Sequence, residues 1–85
     1  MFVRCKLIAE GPGPSEVIVS IQAAGGHEEE VVLSKKQVHD NMVDVGTALL
    51  AEGGKLLIEL PRESASGRWR IWVDKAQTVQ SELAA

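Results

Sequence analysis

The sequence predicts a mainly β domain, a small barrel or rolled antiparallel sheet of five to six short strands in the SH3-like manner, with one short helical turn. Three observations lead to it. Apolar and polar residues alternate with a period of two along residues 16–23, 56–60 and 68–74, which is the period of a strand with one dry face. The apolar positions there are rich in Val and Ile, side chains that suit a pleated surface. Glycine and proline clusters at Gly11-Pro12-Gly13-Pro14, Gly25-Gly26 and Gly53-Gly54 punctuate the chain at short intervals, as in a meander. A flat sheet packed on one helix is the alternative architecture.

The elements follow in order. Residues 2–9 read as a first strand, with Val3, Cys5, Leu7 and Ala9 on one apolar face. The two prolines at Pro12 and Pro14 stop it, because they bring no N–H to a ladder. Residues 16–23 form the clearest strand, with Val17, Val19 and Ile21 on one side. Ala24-Gly25-Gly26-His27 is a hairpin turn, and residues 28–33 are the return strand, in which one or two of Glu28, Glu29 and Glu30 face water. Ser34 stands three residues before Gln37, the capping-box spacing, so a short helical turn runs from Lys35 to about Asp40. Residues 42–45 are a short strand. Residues 47–52 are open to helix or strand: their composition favours a helix but they are short for one, and Gly53-Gly54 favours a hairpin that pairs residues 47–51 with 55–60. Arg62 to Gly67 is a turn-rich connection into the last strand. No internal repeat is legible.

In that last strand Trp69, Ile71 and Val73 share one face, and Arg68, Arg70, Trp72 and Asp74 share the other. Trp69 is expected in the core and Trp72 outside it. Residues 75–85 have helix-forming composition but few apolar anchors. A single domain over 1–75 with a frayed helical or disordered tail over 76–85 is therefore expected, in which Val79 and Leu83 are the residues able to cover Trp72.

Composition narrows the function. The chain has 85 residues, enough for one domain with a modest core. Nine basic residues against twelve acidic ones give a net charge of −3, so the chain as a whole does not attract polyanions. The lone Cys5 makes no internal disulfide and suits a reducing compartment, the cytoplasm. No apolar run reaches the roughly 18 residues of a membrane span, and Arg4 and Lys6 interrupt the only run that resembles a signal peptide.

Chemistry is sparse. His27, His39 and Cys5 lack the spacing of a metal site, so no metal and no cofactor is expected. Cys5 sits mid-strand, where a thiol behaves as a small hydrophobe. Ser15, Ser64 and Ser66 fall in turns without a nucleophile elbow, so the chain is not read as an enzyme. The signal above background is Arg68, Arg70 and Trp72, an aromatic ring between guanidinium groups, a combination enriched in protein interfaces. The expected function is a non-catalytic module that binds a protein or peptide through the outer face of its last strand. The rival reading is a single-stranded nucleic-acid binder that uses the same face, with Arg4 and Lys6 adding charge if the first strand lies alongside.

Overall fold

Alternating patterns shorter than eight residues fold into short strands, ten of them among the described residues. In the computed structural model, which describes residues 1–80, β1 (Phe2–Arg4), β2 (Lys6–Glu10), β3 (Glu16–Gln22) and β4 (Glu28–Ser34) lead into a 3₁₀ turn over Lys35–Gln37 and then β5 (Val38–His39). After them β6 (Met42–Asp44), β7 (Leu50–Glu52), β8 (Lys55–Glu59) and β9 (Arg70–Asp74) lead into a second 3₁₀ turn over Lys75–Gln77 and β10 (Thr78–Val79). Three antiparallel sheets result, with strand orders β10-β1-β6-β5, β2-β3-β4 and β7-β8-β9.

The mainly β class is as expected. Among the described residues no sheet closes into a barrel, and the strands number ten rather than five or six. One reason is that residues 2–9 are two strands, not one. At Cys5 the chain leaves the four-stranded sheet for β2, and the Cys5 N–H donates to the Asn41 carbonyl at 2.8 Å. Cys5 thus marks a change of sheet rather than the middle of a strand, and burial raises its thiol pKa.

The two lists of elements are the same list. Val3 on β1 pairs with Val43 on β6, forty positions on, and the outer strands β10 and β5 flank that pair symmetrically. The Cys5–Asn41 hydrogen bond has a counterpart in Val45 N–H to the Met1 carbonyl at 3.0 Å. Likewise Lys35 N–H donates to Ser15 O at 2.8 Å, and Lys75 N–H to Gly54 O at 2.9 Å. The halves are related by a pseudo-two-fold axis through the Val3–Val43 pair. This corrects the sequence reading, which sees no repeat. Equivalent positions agree in character more than in identity (Ser34 with Asp74, Val31 with Ile71, Leu33 with Val73). The connections also differ: residues 11–15 join β2 to β3 where Gly53-Gly54 joins β7 to β8, so no single period runs through the sequence.

Period-two alternation explains the core. Val17, Val19 and Ile21 of β3, Val31 and Leu33 of β4, Ile58 of β8 and Ile71 and Val73 of β9 point inward, and Val3, Val43 and Leu60 complete one buried cluster. Each such side chain contributes about 1.5–3 kcal/mol when fully buried. The cap at Ser34 forms: its Oγ accepts from Lys36 N–H at 3.3 Å, and Gln37 Oε1 accepts from Ser34 N–H at 2.9 Å. The turn spans only Lys35–Gln37, because Val38 already pairs with Val43. Residues 50–52 are strand, paired with β8 through the Gly53-Gly54 turn, whose glycines both have positive φ.

The expected tail differs as well. Residues 75–79 form the second 3₁₀ turn and β10, which pairs with β1 and so leads away from β9. Residues 81–85, Leu83 among them, lie outside the described residues. No helix among the described residues is long and apolar enough to cross a membrane.

Candidate functional site

Because Ile58, Ile71 and Val73 face the core, alternation sends Lys55, Leu57 and Glu59 of β8 outward, with Arg70, Trp72 and Asp74 of β9. Register then sets them in pairs: Lys55 opposite Asp74, Leu57 opposite Trp72, Glu59 opposite Arg70. From β7, Leu50 stands opposite Leu57 and Glu52 opposite Lys55. The outer face therefore carries an apolar row, Leu50–Leu57–Trp72, between two charged ones. Leu50 is 59% exposed, while Leu57 and Trp72 are half-buried. In one flanking row Glu52, Lys55 and Asp74 alternate in sign. In the other, Arg70 Nε lies 3.5 Å from Glu59 Oε2.

Beside Trp72 is a shallow depression of about 440 Å³ that Gly25, Lys55 and Glu52 help to line. Ala24 N–H donates to the Trp72 carbonyl at 2.8 Å, which fastens the turn before β4 against β9. Gly25 and Gly26 allow that turn, since both adopt positive φ. A second depression, of about 340 Å³, is lined by Arg4, Lys6, Ser20 and Glu28 among others. There the Ser20 hydroxyl is already bonded to Glu28 Oε1 at 2.5 Å.

Of the three residues singled out by sequence, Arg70 and Trp72 come together on this face and Arg68 does not join them. Arg68 precedes β9, and its Nε lies 3.6 Å from Glu29 Oε2. Arg4 and Lys6 are on β1 and β2, which pair with β6, β10 and β3, so neither strand lies alongside β9.

Trp69 corrects another expectation: it is 53% exposed. The face assignment holds for Ile71 and Val73, which are buried, but Trp69 lies one residue before the paired part of β9. Its carbonyl accepts from Leu60 N–H at 2.7 Å, the inward position at the open end of the sheet.

The position equivalent to Trp69 in the first half is Glu29, which sequence reasoning passed over as one of three glutamates. Its side chain is only 4% exposed. The signal was present, since Glu29 shares the parity of the inward Val31 and Leu33. Ser66 Oγ donates to Glu29 Oε1 at 2.6 Å, and Ser64 Oγ lies 3.2 Å from Ser66 Oγ. His27 Nε2 is 3.3 Å from Glu29 Oε2. The Ser66 hydrogen bond chiefly lowers the carboxyl pKa, against the opposing effect of burial, and Ser64, Arg68 and His27 add to the lowering. Ser66 and His27 thus each meet a different oxygen of the same carboxylate. The cluster is a clamp: it holds residues 64–68 against β4, helped by Ala65 N–H donating to Glu30 O at 2.8 Å.

No protein-family model, no curated protein and no solved structure matches this chain. The class that fold and site define is a small antiparallel β domain of two pseudo-equivalent halves, one of which carries a partly exposed aliphatic and tryptophan row.

Proposed function

We propose that this chain is a small non-catalytic interaction module that binds a protein or peptide through the outer face of the β7-β8-β9 sheet, with Trp72 as anchor and Arg70 beside it. The observation that carries the reading is the row Leu50–Leu57–Trp72, an apolar strip set between charges of both signs. Such a strip suits a partner segment with apolar residues along its middle and mixed charge at its margins. Nucleic acid is the weaker reading. Arg68 and Arg70 each face a carboxylate, Glu29 and Glu59, and the net charge is −3. The proposed setting is the cytoplasm, where the single Cys5 thiol stays reduced.

The test is affinity capture from native lysate with wild type, Trp72→Ala and Trp69→Ala. Capture lost in Trp72→Ala but kept in Trp69→Ala, an equally large change off the row, supports the reading, provided that salt has little effect. Equal capture by all three proteins sinks it. A steep fall of capture with ionic strength would favour nucleic acid instead.

A further inference from the structure

Among the described residues five large hydrophobic side chains are exposed, and four of them, Leu7, Ile8, Leu49 and Leu50, lie on or next to two strands, β2 and β7. These strands occupy equivalent places in the two halves. Among the described residues each has one strand neighbour, β3 and β8 respectively, and every residue of both is exposed. The opposite edges of the same sheets differ: β4 receives Ala65 N–H and β9 receives Ala24 N–H from loops. Exposed edges with apolar side chains are templates for pairing with another chain.

We propose that β2 of one copy pairs antiparallel with β7 of a second copy, joining the chains head to tail. The register is determined by charge and by face. Lys6 lies opposite Glu52 of the second copy, Leu7 opposite Ala51 and Ala9 opposite Leu50, with the bulge at Ile8 repeated on this side as it occurs against β3. Lys6 and Ala9 share the outer face with Ser20 and Ile18, and Glu52 and Leu50 share it with Lys55 and Leu57. The outer faces of the two sheets therefore join.

One row across the six strands then reads Asp74, Lys55, Glu52, then Lys6, Ser20, Glu30 of the neighbour, so charged residues next to each other are opposite in sign. The next row reads Trp72, Leu57, Leu50, then Ala9, Ile18, Val32, and is apolar throughout. A slip of one residue would turn every side chain to the wrong face, and a slip of two would leave Lys6 against Leu50 with no acid opposite. A second copy of this chain is the occupant that supplies both rows. Each copy offers one β2 and one β7, so the contact propagates into a ring or a filament.

Sedimentation velocity of the full chain, from micromolar to millimolar concentration, tests this. Wild type is expected to sediment as species larger than the monomer. Lys6→Glu and Glu52→Lys, both at exposed positions, should each run as folded monomers by circular dichroism, and the double variant should assemble again. Trp72→Ala should assemble as wild type does, because Trp72 is not on a joined edge, so failure here is separable from failure of partner capture. A wild type that stays monomeric throughout, single variants that assemble unchanged, or a double variant that fails to recover would each overturn the proposal.

Discussion

Val3 and Val43 stand opposite each other in the antiparallel β1–β6 pair, and both are wholly buried. They are equivalent residues of the two halves, and the pseudo-two-fold axis passes between them. Each is expected to matter as much as the other. Val3→Ala and Val43→Ala should each cost about 2 kcal/mol, from lost burial plus the cavity left behind. The double variant should depart from additivity, because the two side chains are direct neighbours. Urea denaturation of the three variants measures this; strongly unequal single costs would mean that the halves are not equivalent at their junction.

Glu29 leads to a prediction about acid. Its folded pKa lies below the ordinary value of 4.5, so the carboxylate adds stability that is fully present above that value. The contribution is lost as pH falls from 4.5 through the lower folded value. Glu29→Gln should therefore flatten this part of the stability curve between neutral and acid pH. At neutral pH Glu29→Ala is expected to cost roughly 1–3 kcal/mol, since Ser66 loses its acceptor. Chemical denaturation across a pH series reads both effects.

The tryptophans separate burial from strand parity. With half of its surface in water, Trp69 should tolerate alanine at a cost below about 1 kcal/mol. Ile71→Ala, two residues on and buried, should cost about 2–5 kcal/mol. Thermal melts of the two variants make the comparison, and a Trp69→Ala variant that melts as early as Ile71→Ala would show that the indole belongs to the core.

The two 3₁₀ turns give a paired test of capping. Ser34 caps its turn through Lys36 N–H, whereas Asp74 at the equivalent position makes no side-chain cap hydrogen bond. Ser34→Ala should cost about 1 kcal/mol, and Asp74→Ala should stay within about 0.5 kcal/mol. Equal losses in equilibrium denaturation would mean that the Ser34 hydroxyl does not act as a cap.

Local pattern was enough for some of this molecule. Alternation along Val17, Val19 and Ile21 and along Ile71 and Val73 gave the inward faces, because side-chain direction in a strand depends only on parity. Ser34 with Gln37 gave the cap, and Gly53-Gly54 the hairpin, because each motif closes within a few residues. The same parity put Arg70 and Trp72 outside together. Tertiary structure decided the rest, where partners are far apart in the chain. The break of the first strand at Cys5 depends on Asn41, and the duplication shows only when Val3 meets Val43. Glu29 is buried because Ser66, thirty-seven residues later, folds over it. Trp69 has the inward parity, and its carbonyl still accepts from Leu60 N–H, yet it is 53% exposed. Parity says which way a side chain points, and only the packing of distant segments decides whether anything is there to cover it.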